Sequence, residues 1–449
     1  MGRLFGTDGI RGIANTELTA ELAFKTGQSG AYVLTKETNK RPRILIGKDT
    51  RKSGDMLEAA LTAGLCSVGA KVISLGVIPT PAVAYLTRKY KADAGVVISA
   101  SHNPCEYNGI KFFNSEGYKL KDEIEDEIEE YITGKKKIED LPTHGAVGYV
   151  AKNHDATEDY VNFAISTVDI RLDGMKIAID CANGASYQTA FKALNKLGAN
   201  VEAIHNTPDG VNINDKCGST HMESLCAYVK SIGADVGLAF DGDADRMLAV
   251  DENGNIIDGD QIMAACAYQM MQENRLAKNT LVATVMSNLG LFIAGEKLGI
   301  EIPKTKVGDR YVLEEMLDKG YVIGGEQSGH IIFLDHNTTG DGLVSALQFL
   351  SVIKKTGKKA SEIAAIVDVM PQVLCNAKVK NEHKEDYMSF EPVAKAIEAL
   401  ENEFAGEGRV LIRPSGTEPL VRVMIEGKDK DYIGRKAKEL AELIEKICS

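Results

Sequence analysis

The feature that most constrains this 449-residue chain is that it writes one structural unit three times. Each copy has a short β-rich run, a turn, an amphipathic helical stretch closing near a glycine, and a second β-rich run. The copies run from Arg43-Ile44-Leu45-Ile46-Gly47 to Gly69-Ala70-Lys71-Val72, from Lys176-Ile177-Ala178-Ile179-Asp180 to Gly198-Ala199-Asn200-Val201, and from Leu281-Val282-Ala283-Thr284-Val285 to Gly299-Ile300-Glu301-Ile302. Strands alternating with helices at this spacing predict βαβ units and a mixed or parallel sheet in each copy. Each copy then ends on one more apolar strand that runs straight into a polar loop. Val96-Val97-Ile98 leads into Ser99-Ala100-Ser101-His102-Asn103-Pro104, and Leu238-Ala239-Phe240 into Asp241-Gly242-Asp243-Ala244-Asp245-Arg246. Tyr321-Val322-Ile323 leads into Gly324-Gly325-Glu326-Gln327-Ser328-Gly329-His330. Open α/β sheets bind ligands beyond the carboxyl ends of their strands. Three equivalent strand ends carrying different chemistries therefore predict domains that converge on one central cleft.

The pattern breaks in the last stretch of about 80 residues, too short for more than one further domain. Residues 409–413 and 420–426 read as strands around Pro414-Ser415-Gly416-Thr417-Glu418-Pro419, and Ile433, Ala437, Leu440, Ile444 and Ile447 recur at helical spacing. The expected fold is α/β: three similar βαβ-type mixed-sheet domains at residues 1–155, 156–255 and 256–368, plus a C-terminal α+β domain at residues 369–449. A hinge is expected near residues 365–372.

A net charge of −12 argues against general nucleic-acid binding. Much of the acid lies on amphipathic stretches such as residues 121–132, where Ile124, Ile128 and Ile132 mark a buried stripe before a stop at Gly134. No run approaches the ~18 apolar residues of a membrane span, and the first residues lack a signal peptide's apolar stretch. A soluble, cytoplasmic protein with no membrane partner is expected. The eight cysteines include no Cys-x-x-Cys pair, so they signal neither a zinc site nor a redox motif, and reduced thiols are expected.

Asp241, Asp243 and Asp245 alternate directly after an apolar strand, so three carboxylates can gather around one hard cation such as Mg²⁺. An EF-hand competes for these residues, because Glu252 stands at loop position 12. Against it, position 6 is Arg246 rather than glycine, and a strand rather than a helix precedes the loop. Ser101 is an everyday turn residue in isolation. Here it follows an abruptly ending strand, and Lys111 lies a short way on. Its hydroxyl can carry a phosphoryl group if a metal neutralises the developing charge. His102 raises a serine hydrolase, but there is no Gly-x-Ser-x-Gly elbow. Glu326 and Ser328 can hydrogen-bond sugar hydroxyls, and His330 is either a proton carrier or a structural histidine. The loop from Arg413 to Arg422, with Ser415, Gly416 and Thr417, has the composition of a phosphate cradle. The segment Phe5-Gly6-Thr7-Asp8-Gly9-Ile10-Arg11-Gly12 can bring Arg11 to the same cleft, but it is not a nucleotide P-loop.

In this order and spacing the four loops resemble those of the α-D-phosphohexomutase family along essentially the whole chain. The resemblance implies phosphorylation of Ser101, and a Mg²⁺ held between that phosphate and Asp241, Asp243 and Asp245. It also implies sugar contacts from Glu326 and Ser328, and phosphate contacts from Arg413, Ser415, Gly416, Thr417 and Arg422. Lys111, Arg246, His330 and Arg11 become candidates for stabilising or protonating the transferring group. A hexose 1,6-bisphosphate would be the intermediate and primer, a sugar phosphate the only partner, and a homodimer one assembly state. Within the family, the opening segment, Asn212-Ile213-Asn214-Asp215-Lys216-Cys217-Gly218-Ser219-Thr220-His221 and Gln327 look like the branch acting on amino-hexose phosphates. Relatives acting on mannose or glucose phosphates more usually carry Met or Glu at position 327. Two rivals stay open: a phosphatase using Asp241 as nucleophile, which leaves Ser101 without a role, and a non-catalytic sugar-phosphate binding module.

Overall fold

Three of the four sheets are built around the same event: a buried strand stops at a polar loop, and the chain returns as its antiparallel neighbour. Ala94–Ile98 returns as Tyr107–Asn114, Val236–Phe240 as Met247–Val250, and Ile323–Gly325 as Ile331–Phe333. The computed structural model describes residues 3–6, 8–36, 41–384, 386–415 and 419–448. The chain divides into two compact units, Met1–Met286 with Gly299–Ile366, and Ser287–Leu298 with Val367–Ser449.

The first unit contains the three mixed sheets. In the six-stranded sheet the order is Ile10–Ile13, Tyr107–Asn114, Ala94–Ile98, Arg43–Lys48, Lys71–Val77 and Tyr149–Lys152. Its last four strands are parallel, as a βαβ crossover requires. The five-stranded sheet runs Ile256–Ile257, Met247–Val250, Val236–Phe240, Lys176–Asp180 and Asn200–Ile204. The four-stranded sheet runs Lys304–Thr305, Val282–Thr284, Ile323–Gly325 and Ile331–Phe333. Strands covered on both faces read as continuous apolar runs, and both Ala94–Ile98 and Val236–Phe240 are buried at every residue.

Helical periodicity supplies the layers over these sheets. Helix Ser53–Ser67 places Leu57, Leu61 and Leu65 one turn apart, all fully buried in one core with Ile44, Ile46 and Val96. Truncating any one of them to alanine would cost about 2–5 kcal/mol. Helix Asp122–Ile132 buries Ile128 and Ile132 and leaves most of its acids toward solvent, and Gly134 follows with φ 77°. The aspartate loop lies between two strands rather than two helices, which excludes the EF-hand. Glu252, the twelfth position of that motif, instead accepts a hydrogen bond from the Ser361 backbone N–H at 3.2 Å.

In the second unit Gln372–Lys378, Leu420–Gly427 and Gly408–Pro414 form an antiparallel sheet. Val393 and Ile397 of helix Glu391–Phe404, and Ile433, Ala437 and Ile444 of helix Lys430–Cys448, share its core. Helix Leu289–Leu298 follows the third repeat's first strand in sequence but groups with this unit. The reason is local hydrogen bonding. Asn288 exchanges bonds of 2.9 and 3.0 Å with the Met370 backbone, and the Leu289 N–H donates to the buried carboxylate of Glu426 at 3.3 Å.

Candidate active site

The loop bearing Ser101 is held from behind by a buried arginine. Ala94–Ile98 ends, the backbone turns through φ 51° at Ser101, and the turn leaves its carbonyls pointing inward. Arg51 collects them, donating to the carbonyls of Ser101 at 3.0 Å, Asn103 at 2.8 Å and Tyr107 at 3.0 Å, and to that of Pro104. Its Nε pairs with Asp49 at 2.8 Å, and both side chains are fully buried. Asp49 in turn accepts from Ser99 Oγ at 2.6 Å, and Ser99 Oγ accepts from the Ser101 N–H at 2.9 Å. Asn214 adds bonds to the carbonyls of Ser101 (2.8 Å) and Asn103 (2.9 Å). A non-glycine residue in the left-handed region costs about 1–3 kcal/mol, and this network holds Ser101 there.

The held turn aims the hydroxyl at the aspartate loop. Ser101 Oγ donates to Asp241 Oδ2 at 2.7 Å, and His102 Nδ1 lies 3.3 Å from the same hydroxyl. One carboxylate oxygen each from Asp241, Asp243 and Asp245 lies within 4.8 Å of the others, and all three residues are buried. Burial first, then Asp245 and Asp243, push the Asp241 carboxyl well above its usual range. A cation joining the cluster would favour the ionised form of Asp241. Asp243 Oδ1 and Asp245 Oδ1 are buried without a hydrogen-bond partner among the described residues. An all-oxygen donor set with orphaned lone pairs fits a hard divalent ion such as Mg²⁺.

From these two aspartates an unbroken chain of alternating charge runs through the unit. Asp243 Oδ2 lies 3.1 Å from Lys111 Nζ, which lies 2.8 Å from Asp8. Lys119 Nζ lies 2.7 Å from both Asp8 and Asp309. Asp309 Oδ2 is 3.4 Å from His330 Nε2, and His330 Nδ1 is 3.5 Å from Asp245 Oδ2. Arg11 also pairs with Asp8. Every buried charge on this path has an opposite neighbour, the condition for tolerating it. Burial opposes charge on Lys111, but Asp243 and Asp8 raise its pKa. Burial likewise opposes charge on His330, but Asp245 and then Asp309 prevail and raise it.

The structure thus brings Ser101, Lys111, Asp241, Asp243, Asp245, His330 and Arg11 into one connected cluster. Arg246 Nε stands 3.8 Å from Asp245 Oδ1. Glu326 accepts from the Gly308 N–H at 3.1 Å, while Ser328 Oγ, Arg11 Nε and Arg246 Nε are buried without hydrogen-bond partners among the described residues. Orphaned polar atoms gathered near one place are what a site shaped for a polar ligand leaves behind. Gln327 turns away from this role, donating to Asp258 Oδ2 at 3.0 Å beside the capping box of helix Gly259–Gln272. In the second unit Arg413 and Arg422 are direct cross-strand partners, and neither has a carboxylate partner among the described residues. Like charges set opposite one another are destabilising without an anion. Ser415 is buried; Gly416 and Thr417 lie outside the described residues.

Sequence reasoning did not find Asp8, Asp49, Arg51, Thr80, Lys119 or Asp309. Thr80 donates to Asp243 Oδ2 at 2.7 Å. Asp8 sat inside a segment singled out for its glycines; the others carried no local signal.

Sheets that end in a buried serine loop, a carboxylate cluster and a polar glycine loop define an α/β protein whose strand ends offer a candidate site for a divalent cation and a polar ligand. The sequence matches phosphoglucomutase/phosphomannomutase alpha/beta/alpha domain I over residues 2–139, domain II over 158–254, domain III over 258–370 and the C-terminal domain over 374–443. The chain belongs to the phosphoglucomutase/phosphomannomutase family. It is 65% identical over 445 residues to phosphoglucosamine mutase of Ruminiclostridium cellulolyticum, with 99% of each chain covered. Among solved structures it resembles a phosphoglucomutase/phosphomannomutase family protein from Burkholderia thailandensis, with TM-score 0.81 at 22% identity over 100% of this chain and 98% of that one. It also resembles Aspergillus fumigatus N-acetylphosphoglucosamine mutase in complex with GlcNAc-6P and magnesium, with TM-score 0.71 at 16% identity over 99% and 96% of the two chains.

Proposed function

We propose that this enzyme interconverts glucosamine 6-phosphate and glucosamine 1-phosphate through a phosphoserine at Ser101 and a glucosamine 1,6-bisphosphate intermediate. The product would feed UDP-N-acetylglucosamine and cell-wall precursor synthesis. The observation that carries the reading is Ser101 Oγ at 2.7 Å from a buried aspartate cluster, in a chain so similar to a named phosphoglucosamine mutase.

Asp241, Asp243 and Asp245 would hold Mg²⁺, which when bound offsets charge developing on the serine oxygen. The substrate's C1 hydroxyl oxygen attacks the phosphorus on Ser101. The P–Oγ bond breaks, its electron pair stays on Oγ, and the hydroxyl proton passes to a nearby base. The bisphosphate turns over, Ser101 Oγ attacks the 6-phosphoryl group, and the C6 oxygen leaves with a proton. Lys111 and Arg246 face the transferring group as cations, and Lys111 also fixes Asp243. Glu326 and Ser328 take sugar hydroxyls, Arg413, Ser415, Gly416, Thr417 and Arg422 the distal phosphate, and His330 or Lys111 the proton. A hexose 1,6-bisphosphate primes the unphosphorylated enzyme. A homodimer in the cytoplasm completes the proposal; among the described residues no helix is long and apolar enough to cross a membrane.

The test is a Mg²⁺-containing coupled assay comparing kcat/KM for glucosamine, mannose and glucose 6-phosphates, with mass spectrometry of the Ser101 peptide. A preference for glucosamine 6-phosphate above about tenfold, roughly 1.4 kcal/mol, and phosphate on Ser101 are expected. Phosphate on Asp241 instead would replace the mutase with a phosphatase. The alternative reading is a glucose- or mannose-phosphate preference within the same family. Equal or faster turnover of those substrates would select it.

A further inference from the structure

Asp180, His205 and Cys217 stand at the ends of three segments of the five-stranded sheet domain. Asp180 ends Lys176–Asp180, His205 follows its parallel neighbour Asn200–Ile204, and Cys217 precedes the turn Gly218–Thr220. A donor atom from each lies within 4.8 Å of the others, and His205 Nδ1 is 2.9 Å from Asp180 Oδ2. In a tetrahedral site with Zn–N and Zn–O of ~2.0–2.2 Å and Zn–S of ~2.3 Å, donor atoms sit roughly 3.3–3.7 Å apart. A bound ion would draw the trio into that range, parting the Asp180–His205 contact by a few tenths of an ångström.

We propose that Asp180, His205 and Cys217 form a second metal site, separate from the aspartate loop, that takes a borderline-soft divalent cation of the zinc type. Donor chemistry makes the choice: one thiolate and one imidazole select such an ion over Mg²⁺, which keeps to the all-oxygen cluster. The fourth position is left to water, as in open zinc sites.

Three further observations support the assignment. The ligands are pre-oriented, because Asp180 Oδ1 is occupied by the Ala182 N–H at 2.9 Å, which leaves Oδ2 to face His205. Asp180 and Cys217 are fully buried while the His205 side chain is 31% exposed, so the imidazole edge is the entry path. The backbone around the trio also stores strain. Ala182 (φ 53°), His205 (φ 46°) and Lys216 (φ 52°) all occupy the left-handed region, which side chains adopt rarely and which clusters at ligand clamps.

Binding would convert the Asp180–His205 pair into a three-point staple. The Cys217 thiol gives its proton to solvent, its sulfur forms the metal bond, and His205 binds through a neutral ring nitrogen. Without a cation, burial and then Asp180 push the Cys217 thiol up to about 12, so the metal has to take the proton's place. The staple would brace Asn214, whose N–H donates to the Ala182 carbonyl at 2.9 Å and whose side chain holds the Ser101 carbonyl.

The test uses the full chain stripped of trace metals and kept in millimolar Mg²⁺ so that the aspartate loop is filled. Co²⁺ is titrated in as a spectroscopic stand-in, followed by competition with Zn²⁺. A thiolate-to-cobalt charge-transfer band saturating at one equivalent, displaced by Zn²⁺, is expected. The band should vanish in Cys217→Ser and persist in Cys226→Ser. His205→Gln, at a partly exposed position, should weaken binding at least tenfold and guards against misfolding of the cysteine variant. No thiolate band in the wild-type chain, or an unchanged band in folded Cys217→Ser or His205→Gln, would overturn the proposal and leave the mutase reading untouched.

Discussion

Asp309 Oδ2 lies 3.4 Å from Nε2 of His330, while the other ring nitrogen faces Asp245. The Gly340 N–H donates to that same Nε2 at 3.2 Å, so Asp309 acts on the imidazole through its charge, and Lys119 lies 2.7 Å from Asp309. Outer partners of this kind set ring orientation and typically matter by about 10–100-fold. Asp309→Asn is expected to lower kcat by that order with little change in KM, and Asp309→Glu to recover part of the loss. An unchanged kcat in Asp309→Asn would show that the contact only packs.

Gly242 has no room for a side chain. A Cβ there would sit 2.5 Å from the Ser101 carbonyl oxygen and 2.8 Å from Asn214 Nδ2. Gly242→Ala must therefore push the serine loop away from the aspartate loop, at an overpacking cost of about 1–3 kcal/mol. Activity should fall far more than stability does, with a raised Mg²⁺ requirement. Thermal denaturation beside a Mg²⁺ titration of activity distinguishes this from general unfolding.

Arg51 satisfies four carbonyls and one carboxylate with a single planar group. Arg51→Ala would leave Asp49 buried and unpaired, costing about 3–5 kcal/mol. Arg51→Lys offers no fork to span the same acceptors and should rescue only a minor part. Urea denaturation of the two variants checks both points, and near-complete rescue by lysine would contradict the need for a planar guanidinium spanning these acceptors.

Glu273 carries a pH signature in stability. Burial works against its charge, but Lys355 at 2.7 Å, Gln269 and Arg275 at 2.6 Å lower its pKa from 4.5 to about 2. A depressed carboxyl stabilises the fold above pH 4.5, and the benefit disappears as pH falls toward 2. The site is partly exposed, so solvent screening reduces the contribution to about 1 kcal/mol. Wild type should exceed Glu273→Gln by that margin at pH 7, with the gap closing below pH 4.5. A gap of equal size at pH 3 would assign it to packing.

Much of the site was legible because its signals are local. A buried strand shows as an apolar run, and a loop that must hold a cation shows as Asp241, Asp243 and Asp245 in alternation. Gln327, read as a mark of the amino-hexose branch, agrees with the 65% identity to a phosphoglucosamine mutase, and its side chain donates to Asp258 at a helix cap.

By itself the sequence determined the repeated strand–helix units, the polar loop that ends each of them, and the residue types those loops carry. All of these rest on periodicity and on neighbours a few positions apart. Only the tertiary structure decided which charges meet. Lys119 pairs with Asp309 across 190 positions, and Thr80 with Asp243 across 163. Asp180 and His205 meet because two parallel strands end side by side, and the loop before Gly218–Thr220 brings Cys217 to them, so a cysteine without any Cys-x-x-Cys spacing still joins a candidate metal site. Such pairings have no spacing rule. They follow from how buried sheets stack their ends, and from the requirement that each charge taken from water find an opposite partner there.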